Sequence, residues 1–276
     1  MTLAAVTMVY NEPDYLPIWA AHYAREVGAR HCYVIDHGSD DGSTAGLGEI
    51  NVVRIPRSPQ DEDRRARFVS HFCGALLEWY DRVIHTDADE IALADPRHHT
   101  SLVSYCEVRP PEVTTALGFD LPYLAGDPPY DPSRTVTEQR PWARFHAAMC
   151  KPVLIARPVN WPAGFHRADA PVVFDQLYLF HLRWFDRDVG LRRLARTRAQ
   201  PWADPEACWW QRVDDARHLE LFDTYTALPR RRAVAFDPDA PPLSVAIAAA
   251  RGAASLNQDF AADELWALPA WLRGRF

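Results

Sequence analysis

The feature that most constrains this chain is a repeated unit: a short apolar run, closed by turn-forming residues and followed by a stretch with helical spacing. Leu3–Val9 is apolar and rich in β-branched residues, and Asn11 and Pro13 close it. A run of that length between turn signals suits a buried strand. Over residues 13–27, Leu16, Trp19, Tyr23 and Val27 recur at helical spacing, with Pro13 expected in the first turn and Gly28 at the C-cap. The unit then repeats. Residues 31–35 read as a second strand running into Asp36-His37-Gly38-Ser39-Asp40-Asp41-Gly42-Ser43, a dense cluster of turn residues. Residues 51–55 read as a third strand, 61–80 as a long helix with Phe68, Phe72, Ala75 and Leu76 on one face, and 82–86 as a fourth strand. Strands alternating with helices imply an α/β fold with a mostly parallel, helix-flanked sheet, whose ligands bind beyond the carboxyl ends of the strands. Asn11, Asp36 and Asp87 fall at such ends.

After Pro96 the rhythm changes. Residues 113–117 and 152–155 read as further strands, separated by a proline-rich stretch, 122–141, expected to be a long loop that acts as a lid or binding loop or is simply mobile. Residues 188–198 have helical character, and the tail from Pro241 holds an alanine-rich helix and the segment Leu265-Trp266-Ala267-Leu268-Pro269-Ala270-Trp271-Leu272. The expected organisation is one α/β domain over 1–185, with halves 1–100 and 101–185, and a helical extension over 186–276. The apolar tail beside Arg273 and Arg275 has the mixture of an interfacial membrane segment. Packing on the main domain is the expectation, with weak contact to a membrane surface as the alternative.

A chain of 276 residues, 48% hydrophobic and 24% charged, can bury a substantial core. Its formal charge of −7 argues against a nucleic-acid binder, which gathers a basic face to neutralise phosphates. Lys151 is the single lysine, which biased composition explains. Cys32, Cys73, Cys106, Cys150 and Cys208 form no paired motif, so reduced, mostly buried thiols are expected. Residues 2–10 lack a charged leader and a cleavage site and are too short to span a membrane, which reads as a cytoplasmic protein.

The sharpest local feature is Arg82-Val83-Ile84-His85-Thr86-Asp87-Ala88-Asp89-Glu90, where an apolar strand delivers carboxylates into a turn. Asp87 and Asp89, one residue apart, can converge on a hard divalent cation, Mg²⁺ or Mn²⁺. Taken alone, an Asp-x-Asp after a strand is more often a solvated turn.

Its context is more specific. Val9-Tyr10-Asn11-Glu12, the loop from Val34 to Ser43 and the segment from Ile84 to Glu90 come in the order and spacing of three motifs of the GT-A glycosyltransferases, and over about residues 4–190 the chain resembles that group, family two and the related family 92 type above all. The resemblance implies a GT-A, Rossmann-like sheet that binds a nucleoside diphosphate sugar, with UDP as the expected nucleotide. It places Tyr10 against the base, Asp36 on the base or ribose, and Asp87 and Asp89 on the ribose and the metal, with Asn11, Glu12, His37 and Ala88 in the same donor-binding segments. Members often carry a second Asp where this chain has His37. The implied cofactor is Mn²⁺ or Mg²⁺, the implied partner a glycan or other hydroxyl acceptor, and the implied outcome inversion.

Arg64, Arg65 and Arg67 follow the acids Asp61-Glu62-Asp63 on the long helix, and Arg67 is the choice for the donor diphosphate. A progression from Lys151-Pro152 through Gly164-Phe165-His166 to Phe180-His181-Leu182-Arg183 is comparable in members of the group, many of which add a C-terminal histidine to the metal. His181 is favoured as that ligand, with His166 as the alternative. For the base that deprotonates the acceptor, Asp120, Asp169 and Asp175 stand as candidates, Asp120 and Asp175 foremost. A sugar-phosphate nucleotidyltransferase is the second enzyme reading, weakened because Tyr10-Asn11-Glu12-Pro13-Asp14 has no glycine for a phosphate loop. A non-catalytic nucleotide- or glycan-binding module is the third.

Overall fold

A computed structural model describes residues 1–252 and 255–276. Among these residues, eleven strands form one sheet: β1 (Leu3–Val9), β2 (Cys32–Asp36), β3 (Asn51–Arg54), β4 (Arg82–His85), β5 (Glu90–Ala94), β6 (Val113–Asp120), β7 (Trp142–Phe145), β8 (Pro152–Ile155), β9 (Phe174–His181), β10 (Arg230–Arg231) and β11 (Leu265–Ala267). The helices are α1 (Leu16–Val27), α2 (Glu62–Leu76), α3 (Leu102–Glu107), α4 (Val136–Gln139), α5 (Arg187–Ala199), α6 (Asp215–Ala227) and α7 (Leu243–Ala250).

The N-terminal wing of the sheet is parallel, in the order β3-β2-β1-β4. All seven side chains of β1 are buried, as its unbroken apolar run requires when both faces are covered. The expected helix-flanked α/β sheet is present, and the order 3-2-1-4 is that of a Rossmann-type half. Helix α1 buries Leu16, Trp19, Tyr23 and Val27, and Gly28 at φ 90° ends it. It starts three residues later than the spacing suggested, because Asn11 sits at φ 49° and residues 13–15 form a turn.

Beyond β4 the sheet becomes mixed. β8 runs antiparallel to both β4 and β6, β7 is antiparallel to β6, β9 is parallel to β6, and β5 is antiparallel to β9. On β6, Gly118 lies directly against the turn before β8: a Cβ there would sit 2.2 Å from the Met149 carbonyl carbon. That close approach, with the Ala116 N–H donating to the Lys151 carbonyl at 2.9 Å, fixes the backbone from which Lys151 projects.

The stretch 122–141 is tied down. Arg140, fully buried, donates to the Phe185 and Pro128 carbonyls, and α4 starts with a capping box between Thr135 and Glu138. The C-terminal stretch supplies α5, α6 and α7, yet it also extends the sheet, since β11 pairs with β7 and β10 with β11. Trp266, Leu268 and Leu272, on which contact with a bilayer would depend, are buried in the core, and Trp271 packs against it. Among the described residues no helix is long and apolar enough to cross a membrane. Cys32, Cys73, Cys106 and Cys150 are buried free thiols, and Cys208 is half-buried.

Candidate active site

A cavity of about 280 Å³ opens at the carboxyl ends of β1, β4 and β9. Of the residues expected to bind donor or metal, Tyr10, Asn11, Glu12, His37, Asp87, Ala88, Asp89, His166 and His181 all line it. Strand ends bring these groups together because successive parallel strands deliver their terminal residues to one edge. Asn11 adopts its left-handed backbone while its side chain accepts from the Asp40 N–H at 3.0 Å and donates to the Asp40 carboxylate at 2.8 Å. This clamps the turn after β1 to the polar loop after β2.

The carboxylates are met by cations from elsewhere in the chain. Asp87 pairs with Arg65 on α2 and, at 3.3 Å, with Lys151. Lys151 also holds Glu90 at 2.6 Å, and Arg193 on α5 pairs with Asp89. Glu12 is held by Arg193 and Arg196, each at 3.1 Å. Helix α5 can present these arginines because Asp186 caps it, accepting from the Asp188 and Val189 N–H groups at 3.0 Å. Burial alone would raise the Asp87 and Asp89 carboxyls, but Arg65 and Lys151 for the first, and Arg193 and His181 for the second, hold them well below the usual range. Burial prevails at Glu12, whose pKa is raised despite the two guanidiniums.

His181 lies at the centre. Its Nε2 is 3.4 Å from an Asp89 carboxylate oxygen, and its Nδ1 bonds to Asp120 at 2.8 Å. Burial would lower its pKa, but the bonds to Asp120 and Asp89 outweigh that and raise it to about 9. Asp120 is fully buried, and its second oxygen accepts from Tyr225 and meets His146 Nδ1, both at 2.8 Å. His166 also reaches the cavity, with Nδ1 on the Ala148 carbonyl at 2.6 Å; burial pushes its pKa down to about 3.

Five expected residues do not line the cavity: Asp120, already described, and four others. Asp36 is fully buried, with its carboxylate taken by the Ser39 N–H, the Thr44 hydroxyl and Arg54. Arg67 is exposed on α2, and Arg65, two residues earlier, faces the cavity in its place. Asp175 is at the opposite end of β9 from His181, accepting from the Tyr105 hydroxyl at 3.0 Å. Asp169 accepts from Asn160 through both oxygens. With Asp120 enclosed as well, none of the three acids proposed as base presents an open oxygen to the cavity. No residue of the stretch 122–141, read as a lid, a binding loop or a mobile loop, lines the cavity. Tyr10 has the Arg57 guanidinium carbon 3.7 Å from its ring centroid, so one aromatic face is already covered.

The residues that sequence reasoning passed over are chiefly cationic. Lys151 carried two signals, being the one lysine of the chain and preceding Pro152. Arg193 and Arg196 carried only their spacing on a helix rich in arginine. Trp210 and His218, which also line the cavity, carried none.

The sequence matches no protein-family model and no curated protein. Among solved structures, the chain is similar to glucosyl-3-phosphoglycerate synthase from Mycobacterium tuberculosis in complex with Mn²⁺, UDP and glucosyl-3-phosphoglycerate, at 18% identity and a TM-score of 0.30, over 43% of this chain and 44% of that one. It is similar to the mannosyltransferase PcManGT from Pyrobaculum calidifontis in complex with GDP-Man and Mn²⁺, at 14% identity and a TM-score of 0.29, over 44% and 35%. A longer overlap, 71% of this chain and 61% of the other, joins it to a mannose-1-phosphate geranyltransferase from Thermus thermophilus at 12% identity and a TM-score of 0.33. The chain thus spans under half the length of the first two, and the functional reading rests on the geometry of the cavity itself.

Proposed function

We propose that the protein is a GT-A type glycosyltransferase, which moves a sugar from a nucleoside diphosphate sugar, UDP-linked by preference, to an acceptor hydroxyl with inversion. The observation that carries this reading is the arrangement around His181. Its Nδ1 is fixed by Asp120, and its Nε2 faces the Asp89 carboxylate at 3.4 Å. A carboxylate behind a histidine sets the ring's tautomer and orientation in metal sites. Among the described residues no group of three or more His, Cys, Asp or Glu forms a complete metal cage. Two protein donors nonetheless fit a cation that arrives with its phosphates, since Mg²⁺ is commonly held by one or two carboxylates plus substrate oxygens.

Asp89 and His181 would hold the cation, the ring losing its Nε2 proton to solvent as the cation binds, with Asp87 beside them, and the cation would offset the charge of the departing diphosphate. Arg65, Lys151, Arg193 and Arg196 line the same cavity and supply fixed positive charge for the diphosphate oxygens, where a guanidinium makes paired contacts. Each is paired with a carboxylate, so donor binding would exchange one set of anions for another. Asp120 acts as a positioning residue through His181. Tyr10, with one face free of Arg57, offers that face to the base.

The test is thermal shift with UDP and GDP, with Mn²⁺ and with EDTA. Ligand at a hundredfold excess over its Kd adds about 2.7 kcal/mol to apparent stability. A clear rise with UDP and Mn²⁺ that EDTA abolishes is expected; the same rise in EDTA removes the cation from the reading, and no rise with either nucleotide removes the donor.

A further inference from the structure

We propose that the side of the cavity formed by Arg183, His218 and Trp210 binds an anionic group of the acceptor, a carboxylate or a phosphate, so that the acceptor is a negatively charged hydroxy compound. The inference rests on the glycosyl-transfer reading for the word acceptor; the anion site itself stands on Arg183, whose guanidinium has one long hydrogen bond, and His218, whose buried ring nitrogens have none.

Arg65, Arg193 and Arg196 each face a carboxylate across the cavity. Arg183 does not: among the described residues its side chain makes a single polar contact, Nη2 to the Trp210 carbonyl at 3.4 Å, beside the Trp184 ring at 5.1 Å. A guanidinium has five N–H donors, so most of this one's capacity is unused. It is half-buried, it lines the cavity, and among the described residues no carboxylate lies within ion-pair distance of it.

His218 makes the same point independently. It is 2% exposed, it lines the cavity, and neither ring nitrogen has a hydrogen-bond partner. Buried polar groups are rarely left unpaired without a ligand or a functional reason. Its Nε2 lies 2.9 Å from the position a Cβ on Gly190 would take, so this placement depends on the absence of a side chain at Gly190. Burial, reinforced by Arg183, lowers the His218 pKa to about 4, which leaves a neutral ring with one N–H to donate.

Position connects the two to transfer. Arg183 is two residues beyond His181, in the turn that the Phe185 N–H closes on the Leu182 carbonyl, and both side chains line the cavity. Trp210, 53% exposed, also lines the cavity, and its carbonyl accepts the one hydrogen bond of Arg183.

The test is calorimetric titration of the full chain, saturated with UDP and Mn²⁺ so that the diphosphate cluster is filled, using glycerol 3-phosphate, glycerate and neutral glycerol. The parent should bind one of the two anions at least about tenfold tighter than glycerol, the phosphate and carboxylate arms deciding which group is preferred, and Arg183→Gln should remove that preference while UDP still binds, as expected for loss of a charge-assisted bond. Equal binding of all three compounds by the parent, or an Arg183→Gln variant that keeps the parent's preference, overturns the inference. If that variant does not fold, Arg183→Lys serves the same comparison, because it keeps the charge and loses the fork; about a threefold or greater loss of anion affinity supports the site and none overturns it. Failure of UDP to bind strikes the glycosyl-transfer reading alone, and the same Arg183 comparison without nucleotide still decides the anion site.

Discussion

The two wings of the sheet contribute opposite halves of one electrostatic arrangement. The parallel wing and the turns that leave it supply Glu12, Asp87 and Asp89, with Glu90 opening β5 directly after them, carboxylates that arrive in short contiguous motifs. The mixed wing and α5 supply Lys151, His181, Arg193 and Arg196, which answer them from far along the chain; Arg65 is the exception, reaching Asp87 from α2. Acidic motifs are local objects, fixed by where a strand ends. Their counter-charges are products of tertiary packing.

The sharpest way to break that comparison is to remove an anion and see whether the cations still form a site. Asp89→Asn should lower donor turnover by about a hundredfold or more, the effect of losing roughly 3 kcal/mol of charge stabilisation in the transition state. It also leaves Arg193 and His181 facing an amide, so the melting temperature should fall. Normal turnover with a normal melting temperature would dissolve the assignment.

Removing a cation tests the other half. Lys151→Met leaves Glu90, which is buried and 2.6 Å from the lysine, without its partner. Breaking a buried pair from one side costs about 3 kcal/mol or more, whereas replacing both ends with apolar groups is far milder. Urea titration of Lys151→Met, Glu90→Leu and the double variant should give a coupling of more than about 1 kcal/mol. Additive losses would mean that the pair does not act as one.

How much of this was legible depends on the same division. The first strands, α1, α2 and the carboxylate motif could be read because each is announced within a few residues, by an apolar run, an apolar stripe or a turn cluster. Strands β5 and β7 were not anticipated: Glu90–Ala94 follows the acidic turn without a break, and Trp142–Phe145 is four residues with a polar Arg144 between apolar neighbours. Helix α6 was missed too, since its buried His218, Phe222 and Tyr225 give a sparse stripe among charged residues. Asp36 could be seen as a loop acid, but its enclosure by Thr44 and Arg54 depends on β3 lying beside β2.

The parallel wing has its own titratable liability, at a residue that does not line the cavity. His22 on α1 is buried, bonds to the Ala92 carbonyl at 2.8 Å, and has its pKa lowered from 6.5 to about 3, first by burial. Between those values the unfolded chain binds a proton that the folded one refuses, so the stability linked to His22 is full above about pH 6.5 and is lost as pH falls toward 3. At pH 5 the loss is about 2 kcal/mol. His22→Gln should flatten the fall of melting temperature between pH 6.5 and 4; an unchanged slope would clear His22.

The smallest effect separates two neighbours on one helix. Arg65→Ala should weaken UDP binding by about tenfold, because its guanidinium faces the cavity. Arg67→Ala, on the exposed face, should change stability by no more than about 0.5 kcal/mol and leave UDP affinity alone. Equal losses from the two substitutions would erase the distinction between the faces of α2.

The pairing of Arg193 with Asp89 spans 104 positions, and that span is also an interval of time during synthesis. At roughly 5–20 residues per second, the arginine leaves the ribosome on the order of 5–20 seconds after the aspartate it will neutralise. Throughout that interval the newly made N-terminal wing carries Glu12 and Asp89 with no arginine of α5 to receive them. Those carboxylates keep their water, and the rim of the cavity closes only when α5 arrives, the last third of the chain completing a surface that the first third began.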